Sequence, residues 1–299
     1  SLAWRRSRWM RKPLQNIGAS VRARLLNLAK ERNQPFELLL IRYTLERLLY
    51  RLSKSKHRDK FVLKGAMLMR YWLDDPHRPT RDLDLLGFGD NDPELTLKLF
   101  REICAVKADD AVVFDTSALV VDRVRDESGY GGLRLKTYAT VGGARVRVVI
   151  DIGYGDATEP GLDQIELPVL LDQPAPSLRA YPPETVIAEK FQAMVMLGLA
   201  NTRLKDFYDI WILAKTHEFR DERLARAIAA TFARRKTDIP SERPDGLTAA
   251  FADDLTKRQQ WDAFIEEVAV NPGALSDLTE ELVSFLMPHA EKARRLGGS

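Results

Sequence analysis

The chain has 299 residues, 45% hydrophobic and 30% charged, enough for a sizeable core in one large domain or two smaller ones. Its single cysteine, Cys104, excludes an internal disulfide and suits a reducing cytoplasmic compartment, and no apolar run approaches the roughly 18 residues of a membrane span. A net charge of +3 is too small to argue for nucleic-acid binding by itself.

Residues 1–19 read as a basic arm, without the apolar stretch of a secretory signal, and Met10 offers an alternative start. Residues 20–53 read as two helices. Ser20 is placed to cap the first, whose apolar stripe is Val21, Leu25, Leu28 and Ala29. Pro35 opens the second, with Leu38, Leu39, Tyr43, Leu45, Leu48 and Leu49 inward. Arg42, Arg47 and Arg51 fall on its other side and are expected to form a solvated polar face, or a basic wall beside a nucleic-acid groove.

Phe61-Val62-Leu63 is a short apolar run. Lys64-Gly65-Ala66 follows and opens a predicted helix over 67–73. A small-residue turn at a helix start presents unpaired backbone N–H groups, which suit a phosphate. After a Pro-containing loop over 74–81, residues 82–86 read as a strand, Asp82-Leu83-Asp84-Leu85-Leu86. A strand places residues i and i+2 on one face, so Asp82 and Asp84 point the same way. Two adjacent acids repel unless a cation lies between them, which makes a divalent metal site the leading reading.

Asp92 caps a predicted helix over 93–107. Three strand-like runs follow at 111–124, 133–141 and 144–152, separated by the glycine-rich turns 128–132 and 142–143. The third run alternates Arg145, Val146, Arg147 and Val148, then ends Ile150-Asp151-Ile152-Gly153. An acid between two isoleucines at a strand end has the form of a third metal ligand or a base. It could equally start the turn before Gly153. A further strand is expected over 165–171. Residues 172–183, rich in Pro, Ser and Ala, read as the connection to an all-helical remainder, so the boundary is set with 20–175 as one domain and 176–299 as the other. In that remainder Lys190 ends the polar side of one helix. Asp206 and Asp209, three apart, share a face of the next. Helices are predicted over 221–236, 244–255, 257–268 and 275–293, the first with an arginine-rich face that is solvated or else follows an RNA backbone.

Five stretches then stand in order: Lys64-Gly65-Ala66, Arg78-Pro79-Thr80-Arg81-Asp82-Leu83-Asp84, Ile150-Asp151-Ile152, Glu189-Lys190-Phe191-Gln192-Ala193 and Lys205-Asp206-Phe207-Tyr208-Asp209-Ile210. Together they resemble the AbiEii family of toxins, which includes the mycobacterial Men toxins, within the nucleotidyltransferase superfamily. The resemblance spans roughly residues 20–215. Where the superfamily turn is Gly-Gly or Gly-Ser, this chain has Gly65-Ala66, so the turn donates no hydroxyl.

The resemblance implies an α+β fold, a polymerase-β-like palm with a mixed sheet and flanking helices, followed by a C-terminal helical domain. It implies an Mg²⁺-dependent (or Mn²⁺-dependent) transfer of a nucleoside monophosphate from an NTP to an acceptor, the 3′ end of tRNA, which blocks translation, and a cognate antitoxin as partner. Asp82, Asp84 and Asp151 would be the metal ligands, with Asp151 alternatively accepting the acceptor's proton. Lys190 would stand over the triphosphate, with Lys64, Gly65 and Ala66 at phosphate and Arg78 and Arg81 clamping it. Asp206 and Asp209 would orient the lysine or contact base or ribose, or else form a helix-to-helix salt-bridge network. Thr80, two residues before Asp82, would be a site for phosphorylation by the antitoxin. Transfer to a protein or small molecule, and a non-catalytic partner-binding module, are the competing readings.

Overall fold

A computed structural model describes residues 16–73, 78–125 and 131–297. Most of the basic arm lies outside these residues, as do 74–77 of the Pro-containing loop and 128–130 of the glycine-rich turn. The chain begins with helices Ile17–Glu31 (α1) and Phe36–Lys54 (α2). Asn16, not Ser20, caps α1: its side chain accepts from the Ala19 N–H at 3.1 Å. Asn caps as well as Ser, and Ile17 already belongs to the helix.

The strands are Phe61–Lys64 (β1), Leu83–Gly87 (β2), Val112–Phe114 (β3), Val120–Arg125 (β4), Gly131–Val141 (β5), Ala144–Tyr154 (β6), Asp163–Glu166 (β7) and Ser177–Ala180 (β8). They form one sheet in the order β3-β5-β6-β2-β1-β8-β7, with β4 also on β5. The β2–β6 and β1–β8 pairs are parallel and the others antiparallel, so the sheet is mixed. Helices Ala66–Trp72 (α3) and Pro93–Cys104 (α4) interrupt the strands. After the sheet come Pro183–Leu197 (α5), Leu204–Thr216 (α6), Asp221–Arg234 (α7), Ala249–Ala252 (α8), Leu255–Ile265 (α9) and Leu275–Gly297 (α10). The buried apolar side chains make one cluster from Val21 in α1 to Ala293 in α10. Among the described residues, no helix is long and apolar enough to cross a membrane.

Further expectations change. The run 111–124 is two strands, because Asp115 turns the chain by accepting from the N–H groups of Ser117 and Ala118, both at 3.1 Å. The connection over 172–183 contains β8, which completes the sheet between β1 and β7. With only Leu178 and Ala180 buried in four residues, β8 is too short to show a period of two. The arginines of α2 are not solvated: Arg42, Arg47 and Arg51 are buried. Asp110 accepts from Arg47 Nε at 2.9 Å and from Arg51 Nη1 and Nη2 at 2.7 and 3.0 Å. Glu46 takes Arg42 at 2.8 Å. Buried charge persists where it is paired and hydrogen-bonded, and these pairings replace the water that the spacing implied.

Candidate nucleotide site

The site is assembled where β1, β2 and β6 meet α5 and α6. Strands β2 and β6 run parallel in a register that sets Asp84 opposite Asp151. Neighbouring strands lie about 4.8 Å apart, so the two carboxylates stand side by side. Leu83, Leu85, Ile150 and Ile152 are buried on the opposite face and fix that orientation. Asp82 precedes the first strand residue, on the same side as Asp84. Burial pushes the Asp84 carboxyl up to about 6; Asp151 and Asp82 add to the rise while Lys64 and Lys190 oppose it. Asp82 is also raised, by burial and then by Asp151.

Gly65 has φ 73° and ψ −158°, a conformation essentially confined to glycine. A Cβ built on it would sit 2.0 Å from Asp84 Oδ2. The close approach that the small-residue turn allows is therefore made by the Asp84 side chain. Gly65→Ala is expected to displace that carboxylate and reduce activity about 100-fold, with backbone strain of roughly 1–3 kcal/mol. Steady-state rates and a melting curve check this; wild-type rates in Gly65→Ala would remove the glycine from this role.

Arg134 on β5 faces Asp151 in register and donates to it twice, from Nε at 2.7 Å and Nη2 at 2.8 Å. Among the described residues no three His, Cys, Asp or Glu side chains converge as a preformed metal cage, so the expected trio is not assembled as one. The donor chemistry still fits Mg²⁺, which takes one or two carboxylates and completes its shell with phosphate oxygens and water. Asp84 and Asp151 would supply that pair.

Cations face these acids. Lys64 Nζ lies 2.8 Å from Asp156 Oδ2 and 3.5 Å from Glu189 Oε2. Burial opposes its charge, but Glu189 and Asp156 outweigh burial and lift its pKa above the ordinary lysine value. Arg235 donates to Asp156 Oδ1 and Gln192 Oε1, both at 3.0 Å. The Tyr181 hydroxyl donates to Glu189 Oε1 at 2.9 Å. Lys190 is ion-paired with Asp206, and with Asp209 at 3.0 Å. Burial again opposes the charge of Lys190, yet these two acids raise its pKa.

Asp209 also takes both arms of Arg78 at 2.8 Å, and Asp206 takes Arg203 at 3.0 Å. Asp206 and Asp209 thus form the salt-bridge network between α5 and α6 and orient Lys190. Arg78 ties the segment before β2 to α6 through the two N–H groups that a phosphate clamp would need. Arg81 does not join this cluster: it is 58% exposed and pairs with Glu37 at 3.0 Å. Thr80 donates to the Asp82 carbonyl at 3.2 Å.

Between the acids and the cations is a cavity of about 530 Å³, lined by Lys64, Gly65, Ala66, Asp84, Asp151 and Lys190 among others. That volume is in the range of small-molecule sites. Sequence reasoning assigned no role to Arg134, Asp156, Tyr181, Glu189, Arg203 or Arg235, all of which line it. Arg134 had one local signal, the polar phase of an alternating strand. Arg235 had only the arginine-rich face of 220–236, read as solvated or as a surface for an RNA backbone, neither of which points to this cavity.

A parallel pair of strands presenting paired carboxylates beside a lysine-bearing helix defines a nucleotidyltransferase-type palm. The crystal structure of a putative nucleotidyltransferase from H. pylori has the same fold: TM-score 0.50 at 16% identity, covering 86% of this chain and 96% of that one. The structure of JHP933 from Helicobacter pylori aligns with TM-score 0.45 at 17% identity, over 87% of this chain and 94% of its own. No curated protein shows significant sequence similarity. The family described as nucleotidyl transferase AbiEii toxin, type IV TA system, matches residues 47–281, and the chain belongs to it. Membership makes it a nucleotidyltransferase of a toxin–antitoxin system, with a nucleotide substrate and an antitoxin partner.

Proposed function

We propose that this toxin transfers a nucleoside monophosphate from an NTP to the 3′ end of tRNA in the cytoplasm, blocking aminoacylation, translation and growth. The observation that carries the reading is one cavity lined by the carboxylates of Asp84 and Asp151 and by the cations Lys64, beside Asp84 in strand register, and Lys190. A triphosphate needs cations along its length, and the attacked α-phosphate needs carboxylates beside it.

Asp84 and Asp151 would hold Mg²⁺ or Mn²⁺, which when bound offsets charge on the triphosphate oxygens. Lys190, held by Asp206 and Asp209, meets the triphosphate as a fixed point charge, and Lys64 supports it from β1. The acceptor hydroxyl oxygen bonds to the α-phosphorus as the bond to the β-phosphate oxygen breaks, releasing pyrophosphate. Asp151, once exchanged from Arg134, would take the hydroxyl proton if it does not hold the metal. Phosphorylation of Thr80 by the antitoxin would put roughly two negative charges beside Asp82 and oppose nucleotide binding.

Total tRNA incubated with each labelled NTP and Mg²⁺ tests the reading. Label is expected in tRNA with wild type and not with Asp151→Asn. No incorporation by wild type, or equal incorporation by the variant, overturns it; label in protein or a small molecule overturns the tRNA acceptor.

A further inference from the structure

Strand β6 outruns its neighbour. Pairing with β2 begins at Leu83 opposite Ile150, so among the described residues 144–149 have β5 as their one strand partner. The open flank is roofed by Glu37, Leu40 and Ile41 of α2 and bounded by Arg81 and Asp82. The result is a second concavity of about 450 Å³. Four arginines line it, Arg81, Arg134, Arg145 and Arg147, against two acids, Glu37 and Asp82.

The arginines differ in their commitments. Arg134 is bound to Asp151 and Arg81 to Glu37. Arg145 and Arg147 are exposed and form no ion pair among the described residues. The period of two puts them in one row with Val149 and Asp151, and at about 3.4 Å per residue that row covers about 20 Å, the two arginines lying about 7 Å apart at its start. An aromatic ring lies beside it: Tyr138 of β5 is opposite Arg147 in register, and the Arg145 guanidinium lies 3.7 Å from the ring centroid. Arg134 lines both this groove and the nucleotide cavity, so the two adjoin at Arg134, whose carboxylate partner is Asp151.

We propose that this groove holds the phosphodiester backbone of a single-stranded RNA 3′ end and leads its terminal hydroxyl past Arg134 to Asp151, an inference that rests on the transfer reading above. A small-molecule acceptor has no use for a groove lined by four arginines beyond the nucleotide cavity. Arginines interleaved with an aromatic ring match a chain of phosphates carrying stackable bases. Each phosphate neutralised on a single strand contributes about 0.7 to the salt slope of binding.

The test uses the full chain, a short 5′-labelled RNA with a free 3′ hydroxyl, and the double variant Arg145→Glu/Arg147→Glu. Anisotropy at several salt concentrations reads RNA affinity, and calorimetry reads NTP binding. The variant is expected to bind RNA at least about 30-fold more weakly, with a salt slope smaller by about 1.4. Its NTP affinity should be that of wild type, which also reports an intact fold, and Arg145→Lys/Arg147→Lys should keep the wild-type slope. Equal RNA affinity and slope in wild type and double variant overturn the proposal, as does wild type that binds NTP but no RNA. If the variant loses RNA binding yet wild type transfers no nucleotide, the groove stands and the transfer reading fails.

Discussion

Asp84→Asn is expected to lower nucleotide transfer by a factor on the order of 10³ while leaving the fold more stable at pH 7.5. The two effects have one cause. Asp84 is half-buried beside two other acids, and its carboxyl is raised to about 6. A carboxyl with a folded-state pKa above its unfolded value favours folding in its protonated form. That contribution is complete below the unfolded value near 3.8 and is lost as pH rises to about 6. At pH 7.5 the folded protein therefore bears an ionised Asp84 at a cost of about 2–3 kcal/mol. Asn removes that charge and with it the transfer function. Rates of NTP incorporation and melting curves between pH 5 and 8 check both effects. An active Asp84→Asn, or one that melts well below wild type at pH 7.5, would contradict this account.

Asp110→Ala is expected to destabilise the protein by about 3–5 kcal/mol, roughly 5–15 °C in melting temperature. Asp110 is 0% exposed and serves Arg47, Arg51 and the Val112 N–H, while Tyr43 donates to its backbone oxygen at 2.8 Å. Its removal leaves two buried guanidinium groups without their carboxylate. Urea unfolding measures the loss. Replacing the arginines and the aspartate together by apolar residues should restore most of it, because no uncompensated charge stays buried. A change under about 1 kcal/mol in Asp110→Ala would show that water reaches the arginines.

Much of the site was legible because it lies in short, periodic stretches. Asp82 and Asp84 share a strand face by alternation alone, and Ile150 and Ile152 marked Asp151 as an acid held in a strand. That Gly65 permits a close approach was legible too, but not that Asp84 makes it, since the contact joins two strands through their pairing. Arg78 was legible only in part. Its position before the acids suggested a phosphate clamp, and it does line the cavity, but only the fold shows that Asp209, 131 residues later, holds its guanidinium. The boundaries of β3, β4 and β8 were blurred because strands of three to six residues carry too few alternations to be told from loops.

What the sequence by itself determined is the set of periodic rows: the acid pair of β2, the Arg145–Arg147–Asp151 face of β6, the apolar stripe of α2 and the Asp206–Asp209 face of α6. Family membership also follows from the order of the motifs. Only the tertiary structure decided which charges meet: Arg134 with Asp151, Lys64 and Arg235 with Asp156, Arg47 and Arg51 with Asp110. The reason is physical. Periodicity follows from backbone geometry over a few residues, whereas an ion pair depends on which distant elements the core brings together and on whether water stays between them.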